Sequence, residues 1–208
     1  MSLIEAKRVS SPRLVETRIH LVRHGEVHNP DYLRYGRLPG FRLSDRGRAQ
    51  AEAAARRLCR ADAIISSPLE RAVETAEIIA RTTGGAIRLD DRLIEARSEF
   101  DGLRKTAFLA PRYWRLLRDP MRPSWGEPYA EVAMRMRVAI ELARQAHSGG
   151  SVVLVSHQSP IWIARRSYES AAPPWLRRMR CSPASITTLV FVGARFDRDE
   201  YWHPTSEA

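Results

Sequence analysis

The sequence predicts an α/β fold: a three-layer sandwich with a mostly parallel sheet and helices on both faces. Three observations predict it. The apolar runs Ile19–Val22, Ala63–Ile65 and Val152–Val155 do not alternate with polar residues, as befits strands covered on both sides. Helical periodicity lies between them. Ala51, Ala54, Ala55 and Leu58 follow an i, i+3, i+4, i+7 spacing, and Leu69, Ala72, Val73, Ala76 and Ala80 continue the pattern. Strands that alternate with helices place crossovers on the sheet faces. The length of 208 residues suits one domain spanning 1–208.

The elements follow in order. Residues 1–16 carry charges where a signal peptide needs an apolar stretch, so they read as a short leader. In the second helix, Ser67, Pro68 and Glu70 have the spacing of a capping box with proline at the first helical position. The region from about 93 to 125 is irregular, with Gly102, Pro111, Pro120, Pro123, Trp114 and Trp125. It reads as an inserted helical cap or long loop over the site, since long loops in small domains are commonly functional. An amphipathic stretch from about Glu127 to His147 stops at Gly149–Gly150. Ser185–Val192 and Arg195–Trp202 flank Gly193–Ala194 and read as a hairpin at the sheet edge.

Composition excludes several classes. No apolar run approaches the ~20 residues needed to cross a bilayer, and no membrane partner is expected. Cys59 and Cys181 are isolated and suggest no disulfide scaffold, which fits a reducing cytoplasm. The net charge is +10, and only Lys7 and Lys105 are lysines, so arginine carries nearly all of the positive charge. The arginines are spread evenly, whereas nucleic-acid binding calls for a concentrated basic face. The nearest candidate face is Arg112, Arg115 and Arg118. Nucleic acid is therefore not the expected partner; a homodimer is compatible with the sequence.

The chemistry gathers at the strand ends. Ile19–Val22 runs into Arg23-His24-Gly25-Glu26, Ala63–Ile65 into Ser66-Ser67-Pro68-Leu69-Glu70-Arg71, and Val152–Val155 into Ser156-His157-Gln158. Open α/β sheets bind ligands at the carboxyl ends of their strands, so His24, Arg23, Arg71 and His157 are expected in one pocket. Arg71 near a helix start would offer phosphate both a guanidinium and the helix dipole. His20, His24 and His28 are spaced four apart, but four strand residues span ~13 Å, too far for shared coordination of a metal. No metal is expected; His20 should pack against the sheet and His28 should line the loop.

These residues resemble a known family. Leu21-Val22-Arg23-His24-Gly25-Glu26 is similar to the signature of the histidine phosphatase superfamily, the phosphoglycerate mutase-like family. The resemblance runs from about Arg18 to Val192 and includes Leu43–Ala51, Ser66–Ala76 and Val153–Ile161. It implies that His24 becomes phosphohistidine and that Arg23, Arg71 and His157 surround the transferred phosphoryl group. It implies that Glu95 is the proton donor, with Glu99 and Asp101 as rivals, and that Asn29 touches phosphate. Gln158 stands where a glycine is common and could contribute its backbone N–H. Val27 replaces a common serine or threonine, and a tyrosine-glycine-glycine run typical of true mutases is missing.

The resemblance thus implies a phosphatase acting on a small phosphorylated metabolite, without metal or other cofactor. A phosphoglycerate mutase-type phosphomutase and a non-catalytic phospholigand-binding protein remain the alternatives.

Overall fold

The computed structural model describes residues 15–104, 106, 110–111, 114, 126–168 and 180–204. Among the described residues six strands form one sheet in the order β3-β2-β4-β1-β5-β6. They are β1 Glu16–Arg23, β2 Ala63–Ser66, β3 Ile87–Leu89, β4 Ser151–Ser156, β5 Ile186–Val192 and β6 Arg195–Trp202. β1, β2, β3 and β4 are mutually parallel, whereas β5 joins β1 antiparallel and turns back into β6 at the edge. The fold is the α/β sandwich expected from the sequence, with a mixed sheet.

Among the described residues four helices cover the sheet: α1 Asp45–Leu58, α2 Glu70–Thr83, α3 Tyr129–Ala146 and α4 Gln158–Tyr168. The core divides into the two faces that the layers require. Ile19, Leu21, Val152 and Leu154 pack with Met136 and Ile140 of α3 and with Ile161 and Ala164 of α4. On the other face, Val153, Val155 and Ile64 pack with Ala54 and Ala55 of α1 and with Ala72, Ala76 and Ile79 of α2. Successive residues of β4 thus enter opposite cores, which explains why its run is apolar without alternation.

Several local expectations are corrected. Glu16, expected at the end of the leader, is the first residue of β1. α2 begins at Glu70 with Leu69 as its cap residue and no side-chain cap bond; Ser67 lies outside the helix, so the capping box does not form. α1 does have a serine cap, with Ser44 accepting from the Gly47 N–H at 3.0 Å. α3 starts at Tyr129 rather than Glu127, with Pro128 as its cap residue, because a proline disfavours helical backbone at the residue before it. β3 and α4 were not anticipated. β3 has three residues and pairs only at the edge, too short to give a period.

Of the insert expected near 93–125, the described part opens with a 3-10 turn, Asp91–Leu93, and continues as irregular chain. Arg112, Arg115 and Arg118 lie outside the described residues. No helix among the described residues is long and apolar enough to cross a membrane.

Candidate active site

Sheet register carries the two histidines to the same place. Arg23 is paired with Ser156 and Ser66 with Val155, so the chain leaves β1, β2 and β4 at one edge. The bonds His24 N–H to Ser156 O (3.1 Å) and Ser67 N–H to Val155 O (2.9 Å) hold the first residues beyond the strands. The imidazole centroids of His24 and His157 are 5.2 Å apart. Gly25 permits this geometry by close approach: a Cβ there would lie 2.3 Å from the Gly47 carbonyl oxygen. The turn after His24 can therefore lie directly on the start of α1.

The tautomer of His24 follows from its partners. Nδ1 is 2.7 Å from the Gly25 carbonyl oxygen, which can only accept, so Nδ1 carries the proton. Nε2 then presents its lone pair, and the Arg71 Nε–H donates to it at 3.3 Å. Burial, with Arg71 and Arg23 nearby, holds the imidazole well below the usual histidine range. His24 is neutral in the free protein, as a nucleophile must be.

Arg71 is fully buried. Its Nη2 donates to the Gly36 carbonyl at 2.5 Å, and its guanidinium lies 4.8 Å from the centroid of the Tyr35 ring. Thr75 ties this arginine to the turn after β1: its hydroxyl accepts from the Gly25 N–H at 3.2 Å and donates to the Arg71 carbonyl at 2.7 Å. Arg23 donates through Nη1 to the Cys181 carbonyl at 2.6 Å, while its buried Nε has no partner.

His157 is fully buried, and burial together with His24 and the arginines drives its pKa well down. In the free protein it is neutral, not the third positive group that a protonated ring would supply. Its Nε2 lies 2.7 Å from Ser67 Oγ, and its Nδ1 is buried without a partner. Ser67 Oγ also accepts weakly from the Leu69 N–H at 3.4 Å, and its hydroxyl can donate to His157 Nε2. Nδ1–H is then the free donor of this ring. Sequence reasoning assigned Ser67 to a helix cap; its functional signal was its position directly after a buried strand.

Glu95, Asp101, Gln158 and Arg23 line a cleft of ≈ 470 Å³ beside His24. Burial raises the Glu95 carboxyl above its ordinary range, although the Ala96 N–H bonds its Oε1 at 2.8 Å and Arg71 and Arg23 lie near. Burial also raises Asp101. Glu99 is exposed and does not line this cleft. Asn29 borders an adjoining lobe with His28, and both ends of its amide bond the backbone of Leu33. It closes its own loop rather than facing Glu95.

His20 and His28 diverge from His24, as expected. His20 bonds Thr188 and Ser151 within the sheet, and His28 is exposed. Among the described residues no three His, Cys, Asp or Glu side chains cluster to hold a metal. The residue that sequence reasoning missed is Tyr35, which lines both lobes and meets His24 edge-on at 6.2 Å between centroids.

The residue pattern that defines the histidine phosphatase superfamily (branch 1) matches residues 19–201. The chain belongs to the histidine phosphatase superfamily. This histidine phosphatase family member is 46% identical over 199 residues to the uncharacterised protein Rv0525 of Mycobacterium tuberculosis, covering 92% of this chain and 98% of that one. It is 33% identical to phosphoserine phosphatase 1 of Hydrogenobacter thermophilus, over 68% of this chain and 71% of that protein. Among solved structures it is similar to the mycobacterial glucosyl-3-phosphoglycerate phosphatase Rv2419c in complex with VO3. There the TM-score is 0.75 at 29% identity, over 90% of this chain and 99% of that one.

Proposed function

We propose that this member is a metal-independent phosphatase that hydrolyses a phosphate monoester through a phosphohistidine on His24. The observation that carries the reading is the fixed neutral tautomer of His24, with Nδ1–H on Gly25 and the Nε2 lone pair toward Arg71. The family relationship and the likeness to proteins named as phosphatases support the same chemistry. The missing tyrosine-glycine-glycine run favours hydrolysis over phosphoryl return to a second substrate.

The proposed steps balance as follows. Ester binding draws the Arg71 guanidinium from Nε2 onto the phosphoryl oxygens, joined by Arg23 and by Nδ1–H of His157. Nε2 forms a bond to phosphorus as the bridging P–O bond breaks, and Glu95 gives its proton to the leaving oxygen. The Gly25 carbonyl stabilises the charged phosphoimidazole through Nδ1–H. Water then attacks phosphorus as the P–Nε2 bond breaks, Glu95 takes the water's proton, and inorganic phosphate leaves with His24 again neutral. The arginines supply the charge neutralisation that phosphoryl transfer needs. Gln158, at the first position of α4, would add its backbone N–H at a helix N-terminus.

The test is rapid acid-free quenching with a labelled phosphate ester. An acid-labile, alkali-stable label that maps to His24, together with release of inorganic phosphate without an added bisphosphate, is the expected result. Turnover that requires a bisphosphate primer would make the protein a mutase. Binding without label or turnover would make it a phospholigand-binding protein.

A further inference from the structure

No helix or strand carries Glu95. It stands on irregular chain between the 3-10 turn Asp91–Leu93 and the isolated pairing of Ser98 with Gly126. A side chain placed there keeps its aim only if the backbone around it is tied down.

Three charged side chains tie it. Arg37 donates through Nε to the Glu95 carbonyl at 2.7 Å. Arg135, from α3, donates through Nη1 to the Arg92 carbonyl at 2.6 Å. One carboxylate orients both guanidinium groups. Glu127 accepts from Arg135 Nε at 2.7 Å and Nη2 at 3.1 Å, and from Arg37 Nη2 at 2.8 Å. It also accepts from the Arg97 N–H at 3.3 Å, and its own N–H donates to the Arg97 carbonyl at 3.0 Å. Gly126 permits this approach, since a Cβ there would lie 2.3 Å from the Arg97 carbonyl oxygen. The backbone is thus held at Arg92, Glu95 and Arg97.

The two carboxyls are held in opposite states. Glu127 is only 12% exposed and meets four N–H donors. Burial opposes its charge, yet Arg135, the Arg97 N–H and Arg37 hold its carboxyl below the ordinary range. Burial moves Glu95 the other way, towards the protonated form. Glu95 lines the cleft beside His24, and Glu127 does not. An ionised carboxylate outside the cleft has no proton to give a leaving group; its reach is to the arginines that hold Glu95. The turn that supports Arg71 through the Gly36 carbonyl has its own tie, the Arg37 N–H to Asp101 Oδ2 at 3.1 Å.

We infer that Glu127 is the positioning residue of the proton donor: through Arg37 and Arg135 it fixes the chain around Glu95 so that the carboxyl meets the leaving oxygen. This rests on the phosphatase reading above, with Glu95 as donor, and adds the residue that aims it.

The experiment uses the full chain with benzyl phosphate and nitrophenyl phosphate, esters of similar size whose leaving groups differ in basicity. Glu127→Gln keeps the shape and removes the charge that orders both arginines. It should lower kcat for benzyl phosphate by about ten- to a hundredfold, the worth of roughly an ångström of misplacement, and change nitrophenyl phosphate by less than about threefold. In the Glu95→Gln background the same substitution should cost benzyl phosphate nothing further, because a donor that is gone cannot be misaimed. Arg37→Met, which removes the bond to Glu95 and leaves the Glu127–Arg135 pair, should show the same selectivity at about fivefold, one hydrogen bond's worth. If urea titration shows that Glu127→Gln does not fold, Arg37→Met decides alone.

Equal losses on the two esters in the deciding variant, or a loss that persists after Glu95→Gln, would make the cluster a general support of the fold and overturn the assignment. Unchanged benzyl phosphate turnover in a folded variant would overturn it too, as would a wild type that cleaves nitrophenyl phosphate alone. Failure of the reading beneath looks different. Glu95→Gln would itself slow both esters alike if Glu95 were not the donor, and neither ester would label His24 if the protein were not a phosphatase.

Discussion

The floor of the site and its outer wall are built by different means. The floor is His24, Arg71 and His157, which leave strands β1 and β4 or enter α2 and are at most 2% exposed. The wall is Tyr35, Glu95 and Asp101, which sit on irregular chain, are half-buried, and are positioned by loop backbone. In the proposed reaction the floor would handle the phosphoryl group, which is the same in every ester, and the wall would meet the leaving group, which differs. Groups needed at fixed distance sit on rigid elements, and groups that choose between substrates sit on loops.

The largest effect should come from the floor. His24→Ala should abolish both turnover and acid-labile labelling, because it removes the covalent step and not merely a contact. Rates by phosphate release should fall by more than about a thousandfold. Retention of more than that residue of activity would place the nucleophile elsewhere.

The wall should respond selectively. Glu95→Gln should slow alkyl phosphate hydrolysis by roughly 10²–10⁴, the usual worth of a general acid, and slow nitrophenyl phosphate much less. An alkoxide needs a proton as it leaves; a nitrophenolate does not. The donor must start protonated, so wild-type alkyl-ester turnover should fall as pH rises through the raised Glu95 pKa. That limb should vanish in Glu95→Gln. Equal losses on both esters would make Glu95 a binding group and return the role to Asp101.

The same division explains what could be read from sequence. The floor was legible because a short apolar run ending in a polar cluster fixes both the strand and the position of the next residue. His24 and His157 needed only β1 and β4 to be parallel neighbours, and their register does the rest. The loops carry no period. The Arg71–Tyr35 contact, the fit of Asp101 against Gly36, and the closure of Asn29 onto Leu33 join residues through backbone turns that no spacing encodes. Ser67 was misassigned because serine followed by proline and glutamate suits a helix cap, and the demand of a buried histidine for a hydrogen bond outweighed that local preference.

A histidine outside the site offers a control on burial. His20 is held at about pH 4, chiefly by burial and also by Arg18. Both ring nitrogens are bonded, to Thr188 at 2.8 Å and Ser151 at 2.9 Å. The facing charges are Arg18, Arg57 and Glu200. In the unfolded chain the ring takes a proton near pH 6.5, while the folded chain resists until about pH 4. The unfolded state therefore binds more protons in that window, and stability falls as pH falls through it. The His20 share of that loss should reach about 3 kcal/mol by pH 4. Urea unfolding of wild type and His20→Gln at pH 7 and pH 4.5 isolates it: the variant should lose less stability across the interval. Equal pH dependence in both proteins would show that His20 titrates normally when folded.

The smallest effect should be at Ser67, which touches the reaction only through His157. Its hydroxyl is the sole described hydrogen-bond partner of the His157 ring nitrogens, at 2.7 Å on Nε2. By donating there it keeps the ring proton on Nδ1, where a phosphoryl oxygen can use it. Ser67→Ala leaves both nitrogens unbonded and the two neutral tautomers close in energy, so part of the population would present a lone pair to the phosphate. A net hydrogen bond is worth about 1 kcal/mol, so kcat should drop by roughly fivefold, with folding nearly intact. A purely structural role would give a similar number, and a double-mutant cycle separates the two. If Ser67 acts by fixing the tautomer, its removal costs nothing further once the imidazole is gone, so His157→Ala and Ser67→Ala/His157→Ala should share one rate. A fivefold loss that persists in the His157→Ala background would mean that Ser67 supports the turn before α2 and not the ring.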